Sequence, residues 1–259
     1  MAVFQELTEV MSLKSVIFDV DGTLADTETQ GHLWAFNRVF QLWNLPFRWT
    51  PGVYRELLKI SGGKERLAYY LTQHPKYRQL TPDEIREIYE LKTHLFKDRV
   101  WSGAVPLRIG VHSLVVQCYE EGISLGISTT THYDNVEALL SRHFGSQWTR
   151  MFRAIVAGDE VPKKKPDPAV YFRCLDQLGI KSHEALAIED SQVGLKAALQ
   201  AGIPTIVTMN TWTYHQRFTG ARAILTDLGT SHTPSYGRGP RGWGRYQITV
   251  DQLRSWQSL

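Results

Sequence analysis

Short runs of β-branched and aliphatic residues recur along the chain, and each ends in polar or small residues. They are Ser15–Val20, Ser124–Thr129, Ala154–Ala157, Ala185–Ile188, Thr205–Thr208 and Ala223–Thr226. Each run has the length of a β-strand. Between the later runs, apolar residues recur at helical spacing, as at Val170, Cys174 and Leu178 ahead of Gly179. Such alternation is typical of βαβ units, so the pattern predicts an α/β fold on a parallel sheet.

The segment between the first two predicted strands has a helical pattern with few strand signals. Its helical stretches are Leu33–Leu42, Tyr54–Ile60, Glu65–Leu71 and Pro82–Phe96. Pro82 follows Thr81, which is the arrangement of a helix that begins behind a threonine N-cap. We therefore predict a helical cap domain over residues 28–102. It is inserted into a core domain formed by residues 1–27 and 103–259.

The chain changes character beyond Thr230, where glycine, proline and arginine dominate. This stretch reads as loop, and Gln247–Trp256 reads as a short returning strand or helix. A GxGxxG pattern is formed by Gly237, Gly239 and Gly242. A nucleotide-binding glycine motif needs a preceding strand and a following helix, and here Pro240 interrupts it. We therefore assign it no function.

Composition indicates the broad class of protein but says little about its activity. Among the 259 residues, 42% are hydrophobic and 21% are charged, and the formal net charge is +3. Basic residues are spread along the chain, so no nucleic-acid partner is expected. The two cysteines form no disulfide framework, and neither a signal peptide nor a membrane-spanning run is found. A monomer in the cytoplasm, without membrane attachment, is the expectation.

Two acidic motifs each follow a predicted strand. Asp19 and Asp21 lie at the carboxyl end of the first strand, at positions i and i+2, and Gly22 lets the chain leave the strand sharply. Glu189 and Asp190 follow the run Ala185–Ile188. The carboxyl ends of parallel strands form the ligand-binding edge of an open sheet. Local turn formation at the first motif, or helix capping at the second, would use the same residue types.

Hydroxyls and cations occur in two further segments. Thr129, Thr130 and Thr131 end the second strand and offer hydroxyls and turn amides to phosphate oxygens. Three consecutive lysines, Lys163 to Lys165, offer an ammonium group that would stabilise phosphoryl oxygens. A run of lysines is also typical of a solvated surface, and the pattern does not choose among the three.

These groups match the needs of phosphate removal through a covalent intermediate. A carboxylate attacks phosphorus only when a cation suppresses the repulsion between them, and Mg²⁺ bound by a few oxygens does this. A carboxylate nucleophile splits one difficult step into two, and a second acid protonates the leaving oxygen. Asp19 and Asp21 supply such a pair.

The chain resembles the haloacid dehalogenase superfamily, because that family's four motifs occur here in the family's order. They are DVDGT, Thr129, KKKP and IEDSQ. The resemblance implies a Rossmann-like core with a small four-helix cap, as in the β-phosphoglucomutase-like subgroup. It implies Asp19 as nucleophile, Asp21 as acid and base, and Thr129 and Lys165 as catalytic residues. It also implies a Mg²⁺ held by the side chains of Asp19 and Asp190, the main-chain oxygen of Asp21, and Glu189 through water.

Several stretches are more similar still to one type within that subgroup. DTETQGHLWAFN, YRELLKISGGKER and GDEVPKKKPDPAVY resemble the xylulose-1,5-bisphosphate phosphatases of the CbbY type, which remove an inhibitor of RuBisCO. The resemblance implies cleavage of the C1 phosphate to leave xylulose 5-phosphate. The residues that it implies at the sugar or the distal phosphate are Glu28, His32, Tyr54, Gly62, Gly63, Lys64 and Arg66. Thr130 and Thr131 are expected at the transferred phosphate.

Three other functions stay open at this point. A phosphomutase or a phosphoglycolate phosphatase would use the same core motifs, and only the fate of the phosphoryl group separates them. A binding protein on an inactive enzyme fold would be expected to lose Asp19, the lysine or the second acidic motif, and all are present. The chain departs from the resemblance at Ile109, where a proline is more usual, and in the tail beyond Thr230.

Overall fold

The computed structural model describes residues 13–60, 62–158 and 160–258, so the expectation about a signal peptide falls on residues outside the described part. An eight-stranded sheet has the order β3-β2-β1-β4-β5-β6-β7-β8. The strands are β1 (Ser15–Phe18), β2 (Ser124–Ser128), β3 (Phe152–Val156), β4 (Ala185–Glu189), β5 (Thr205–Thr208), β6 (Ala223–Leu225), β7 (Ser235–Gly239) and β8 (Gly242–Tyr246). Strands β1 to β6 pair in parallel, which confirms the predicted fold class.

Helices cover both faces of the sheet and build the segment inserted after β1. They are α1 (Trp34–Leu42), α2 (Pro51–Leu57), α3 (Gly63–Gln73), α4 (Pro82–Trp101), α5 (Val111–Glu120), α6 (Tyr133–Phe144), α7 (Trp148–Met151), α8 (Ala169–Leu178), α9 (Gln192–Gln200) and α10 (Val250–Gln257). A π-helical turn, Glu28–Leu33, leads directly into α1. No helix in the described part is both long and apolar enough to cross a membrane.

Strand β1 lies at the centre of the sheet and is buried on both faces. Its four residues are all apolar or small and all buried. Val16 and Phe18 face one apolar cluster with α5, whereas Ile17 faces a second cluster with α8. Burial on both faces explains why the strand reads as a continuous apolar run rather than an alternating one.

The register of the parallel strands decides where their polar ends meet. Ser15 lies opposite Ser124 of β2 on one side and opposite Ala185 of β4 on the other. The three strands therefore end at nearly the same level. The residues that follow β1 and β2, and those that end β4, meet at one edge of the sheet.

The segment over residues 28–102, here called the cap, packs around aromatic side chains. Phe36, Phe40, Trp49 and Tyr54 are almost fully buried there, with rings in contact. At the start of α4, Thr81 is the N-cap and Pro82 follows it, as predicted, and Thr81 and Glu84 also form a reciprocal capping box that the sequence analysis did not anticipate. Helical structure begins at Glu28, earlier than the predicted Leu33. The division into domains at residues 27/28 and 102/103 stays a prediction.

The prediction of a loop beyond Thr230 is wrong. Strands β7 and β8 form an antiparallel hairpin that extends the sheet beyond β6. Glycine permits this pairing: a Cβ on Gly237 would lie 2.1 Å from the carbonyl oxygen of Ile224 on β6. Gly237, one of the glycines that suggested a loop, therefore lets two backbones approach closely. The GxGxxG residues lie in this hairpin, and α10 follows it as one of the two predicted alternatives.

Candidate active site

Three carboxylates converge at the edge where β1 and β4 end. Asp19 follows β1, Glu189 is the last residue of β4, and Asp190 comes next. All three are buried, and each offers an oxygen within 4.8 Å of the others. The Asp19 amide donates to the carbonyl of Ile188 at 3.0 Å, which ties the two acidic segments together.

The structure selects one lysine from the run of three. The Lys165 ammonium lies 2.8 Å from Asp19 Oδ1, 2.6 Å from Glu189 Oε1 and 2.8 Å from the carbonyl oxygen of Ser128. An ammonium group has three donors, so all of them are used. Lys163 and Lys164 are exposed. Lys165 therefore bridges the two acidic segments and the end of β2.

A tyrosine and an asparagine that sequence reasoning did not single out support the acidic cluster. The Tyr171 hydroxyl donates to Glu189 Oε1 at 2.6 Å, and the Asn210 amide donates to Asp190 Oδ2 at 2.7 Å. Tyr171 occupies the apolar face of α8, and its hydroxyl at a buried position is the signal that points to a polar partner. Asn210 lies in the loop after β5, where no sequence signal marks it.

Burial and mutual repulsion perturb the acids strongly. Burial raises the pKa of Asp19 to about 7, with Lys165 opposing the rise and Glu189 adding to it. Burial, followed by repulsion from Asp19 and Glu189, raises the pKa of Asp190 well above its usual range. Burial would lower the pKa of Lys165, but attraction to Asp19 and Glu189 outweighs it and holds that pKa above its usual value. Lys165 thus offsets the charge of Asp19 and Glu189, whereas Asp190 has no direct contact with this ammonium.

The donor set of this cluster fits a hard divalent cation. Asp19, Glu189 and Asp190 offer only carboxylate oxygens, which are the ligands that Mg²⁺ prefers. Gly22 leaves room beside them, because a Cβ there would lie 2.5 Å from Asp190 Oδ2. Its φ of +85° is also one that glycine adopts readily.

The side chain of Asp21 lies apart from the other three acids. Its Oδ1 accepts a hydrogen bond from the Thr27 hydroxyl at 2.6 Å and lies 3.2 Å from His32 Nε2. Burial alone would raise the pKa of Asp21, but its contact with His32 and the hydrogen bond from Thr27 hold it well below its usual range. His32, which is expected to contact the sugar, therefore contacts Asp21 in the structure.

Lys92 continues this chain of contacts into the cap, and sequence reasoning missed it. Its ammonium lies 2.8 Å from His32 Nδ1, and the residue is almost fully buried. Lys92 occupies the same face of α4 as the buried Ile88, Phe96 and Val100. A charged residue at spacing i+4 within an apolar helix face is the signal that could have identified it.

Glu28, Tyr54 and Arg66 of the cap form a second network. The Tyr54 hydroxyl donates to Glu28 Oε2 at 2.6 Å and accepts from Arg66 Nη1 at 3.3 Å. Arg66 Nε also donates to the carbonyl of Ile60 at 2.9 Å. Tyr54 is completely buried, and burial together with the negative charge of Glu28 raises its pKa well above the usual value.

Lys64, at the start of α3, is exposed, and its ammonium lies 5.3 Å from the centre of the Tyr89 ring. The carboxylate of Glu65 covers Gly62, since a Cβ on that glycine would lie 2.0 Å from Glu65 Oε2. Of the two cations Lys64 and Arg66, Lys64 is the more accessible, because Arg66 is hydrogen-bonded to the Tyr54 hydroxyl and the Ile60 carbonyl.

A cavity of about 1070 Å³ lies between the cap and the sheet edge. Of the sequence-predicted site residues, those that line it are Asp19, Asp21, Glu28, His32, Gly62, Gly63, Lys64, Arg66, Thr130, Thr131, Lys165 and Asp190. Among the described residues, Thr129, Tyr54 and Glu189 are not in its lining. Thr129 is buried, and its hydroxyl accepts from the Thr131 amide at 3.2 Å. The cavity volume and its cationic and acidic walls suit a small anionic molecule.

Known proteins resemble this chain over most of its length. Residues 16–208 match the haloacid dehalogenase-like hydrolases. Protein CbbY of Cupriavidus necator is 40% identical over 253 residues, which cover 94% of this chain and 96% of that protein.

Two crystal structures of CbbY from Rhodobacter sphaeroides are similar in fold. One, in complex with phosphate, has a TM-score of 0.77 at 40% identity and covers 83% of this chain and 94% of the other. The second, a point mutant in complex with xylulose-(1,5)bisphosphate, has a TM-score of 0.78 at 39% identity, with coverage of 85% and 98%.

Proposed function

Because the chain belongs to the haloacid dehalogenase-like hydrolases, we propose that it dephosphorylates a sugar bisphosphate through a phosphorylated Asp19, with Mg²⁺ as cofactor. At the coarser level it is a phosphatase that acts on sugar phosphates. The observation that supports the finer proposal is the cluster of Asp19, Glu189 and Asp190 at the cavity, with Lys165 bonded to Asp19 and Glu189.

Asp19 is the proposed nucleophile. Lys165 holds one oxygen of Asp19, which leaves the second oxygen to attack phosphorus. The ammonium also offsets part of the negative charge that a phosphate brings. Asp19, Glu189 and Asp190, with the main-chain oxygen of Asp21, would hold Mg²⁺. When bound, the ion supplies the charge neutralisation that lets a carboxylate approach a phosphate.

Asp21 is the proposed acid and base. Hydrogen bonds to Thr27 and His32 hold its carboxylate ionised, which suits the acceptance of a proton from the attacking water. The acid step requires that Asp21 take up a proton when the negatively charged substrate binds beside it. Thr130 and Thr131 line the same cavity and are proposed to bind the phosphoryl oxygens, with Thr129 supporting the turn.

The proposed substrate is xylulose 1,5-bisphosphate, cleaved at C1. Two observations support it: a related protein binds this compound, and the cap places Lys64 and Arg66 on the same cavity as the acidic cluster. A bisphosphate needs a cation for each phosphate, and the lining includes Lys165 from the core as well as Lys64 and Arg66 from the cap. Glu28 and His32 would then orient the sugar between them, with Tyr54 holding Glu28 from behind the cavity wall and Gly62 and Gly63 near the distal phosphate.

A phosphate-release assay tests the proposal. The substrates are xylulose 1,5-bisphosphate, phosphoglycolate and β-glucose 1-phosphate, each with Mg²⁺ and with excess chelator. We expect the bisphosphate to be turned over with the highest kcat/KM and the chelator to abolish release. Preferred turnover of phosphoglycolate would contradict the proposed substrate and indicate a phosphoglycolate phosphatase. Conversion of β-glucose 1-phosphate without free phosphate would instead indicate a phosphomutase. Rapid quenching followed by mass spectrometry should find phosphate on Asp19.

A further inference from the structure

Trp212 belongs to the loop after β5 but packs into the cap. It is buried among the apolar residues of the cap cluster. Its ring meets that of Tyr54 edge-on at 5.7 Å, and its Nε1 donates to the Thr29 hydroxyl at 3.1 Å. The guanidinium of Arg55 lies 5.9 Å from the centre of its ring. A residue of the sheet layer thus completes the core of the cap.

Asn210, two positions earlier, uses both ends of its amide to join this loop to the acidic cluster. Its Nδ2 donates to Asp190 Oδ2 at 2.7 Å and to the Gly22 carbonyl at 3.2 Å. Its Oδ1 accepts from the Trp212 amide at 2.8 Å and from the Thr213 hydroxyl at 3.3 Å. A side-chain amide has two donors and two acceptor sites, so this one is fully engaged.

A short chain of contacts therefore links the two ends of the cavity. It runs from Asp190 through Asn210 to Trp212, and from there to Tyr54, whose hydroxyl binds Glu28 and Arg66. The same loop is fastened to α9, where the main-chain amide of Gln192 donates to the side-chain oxygen Oε1 of Gln216 at 2.7 Å. Movement of the cap away from the sheet would expose the Trp212 ring and pull on the loop that holds Asp190.

We propose that Asn210 and Trp212 are positioning residues that couple closure of the cap to the placement of Asp190. Trp212 holds the cap against the sheet edge through its buried ring, and Asn210 transmits the position of that loop to the carboxylate. The inference rests on the proposed function for the role of Asp190. The contact between Trp212 and the cap does not depend on that function.

The first test measures cap closure directly. Gln73 in the cap and Gln200 on α9 are exposed, and cysteines introduced there carry spin labels for distance measurement by electron paramagnetic resonance. The native Cys118 and Cys174 are buried and should not react. We expect Trp212→Ala, and more weakly Trp212→Phe, to raise the fraction of molecules with a long interlabel distance at least threefold.

Trp243 provides the matched control, because it is 67% exposed on the hairpin. Trp243→Ala should leave the distance distribution unchanged. Thermal unfolding of each variant checks that the fold is intact, and Trp212→Phe serves if Trp212→Ala does not fold. An unchanged distance distribution in the Trp212 variants would overturn the role of Trp212.

The second test asks whether Trp212 acts on the acidic cluster through Asn210. Calorimetric titration with Mg²⁺ measures the affinity of the substrate-free protein. We expect Asn210→Ala to weaken binding about tenfold and Trp212→Ala about threefold. The double variant should bind no more weakly than Asn210→Ala alone, because the second change acts through a link already broken. Losses that simply multiply would refute the coupling.

The two proposals fail in different ways. A wild-type protein that binds no Mg²⁺ or releases no phosphate contradicts the proposed function. The distance measurement would still decide whether Trp212 holds the cap closed. A wild-type protein that is active, with both Trp212 variants matching the Trp243→Ala control, contradicts only the inference.

Discussion

The ammonium group of Lys92 lies 2.8 Å from Nδ1 of His32, inside the apolar centre of the cap. An ammonium only donates, so we assign Nδ1 as the acceptor and place the ring proton on Nε2, where it points towards Asp21. The ring of His32 stacks on Phe96 at 4.3 Å, which holds its orientation. A residue of the cap thereby sets the hydrogen bonding of an acid at the end of β1.

Removal of the Lys92 charge is expected to change how stability depends on pH. Burial lowers the pKa of Lys92 from 10.5 to about 8, with attraction to Asp21 and Glu28 opposing the change. Between those pH values the unfolded chain binds the proton and the folded protein does not, so this group makes the free energy of unfolding rise with pH. Lys92→Met removes that rise, which is at most about 3 kcal/mol.

Urea unfolding of wild type and Lys92→Met at pH 7.5, 8.5 and 9.5 tests this expectation. The free energy of unfolding of the variant minus that of wild type should be largest at pH 7.5 and should decrease as the pH increases. Other titrating groups are common to both proteins and cancel in the difference. A difference that stays constant over this range would contradict the lowered pKa of Lys92.

Asp19→Asn is expected to abolish phosphate release while the protein stays folded. An amide does not attack phosphorus and offers a cation no charge, so we expect a loss of at least about 10³-fold in kcat. The rate of phosphate release measures it. Asp98→Asn, at an exposed position on α4, is the matched control and should retain full activity. Near-normal turnover by Asp19→Asn would remove this residue as the nucleophile.

Lys64→Ala tests the proposed distal phosphate site. Lys64 lines the cavity, and we expect its loss to raise KM for a bisphosphate about tenfold, with a smaller effect on phosphoglycolate. Lys76→Ala is a close control, because Lys76 also lies over a tyrosine ring, 5.2 Å from the centre of Tyr77, yet is absent from the cavity lining. Equal losses on both substrates would separate Lys64 from the distal phosphate.

The hairpin at the carboxyl end offers a test of sheet packing. Gly237 lies opposite Gly244, but a Cβ on Gly237 would clash with the backbone of β6, whereas on Gly244 the nearest atom is 3.5 Å away. We expect Gly237→Ala to lower the free energy of unfolding by about 1–3 kcal/mol. Gly244→Ala should change it little. Chemical denaturation of both variants gives the comparison, and equal stabilities would argue against the hairpin as described.

Local pattern was sufficient for the strands and for the order of the acidic motifs. Strand and helix periodicities depend on neighbouring residues, and parallel pairing follows from their alternation, so the α/β core could be predicted and is confirmed. The positions of Asp19, Glu189 and Asp190 at one sheet edge follow from the same reasoning. The glycine-rich tail could not be predicted, because the same residues permit both a loop and a closely packed hairpin.

The amino-acid sequence by itself determined which acids end the central strands and that they meet at one edge, since both depend on short-range periodicity. The spacing of residues left three lysines open and only the resemblance implied Lys165; the tertiary structure brings that lysine to Asp19, 146 positions away along the chain. It also decided that Asp21 turns to His32 and Lys92, and that Asn210 holds Asp190. Contacts of this kind depend on how whole layers pack, which no local spacing encodes.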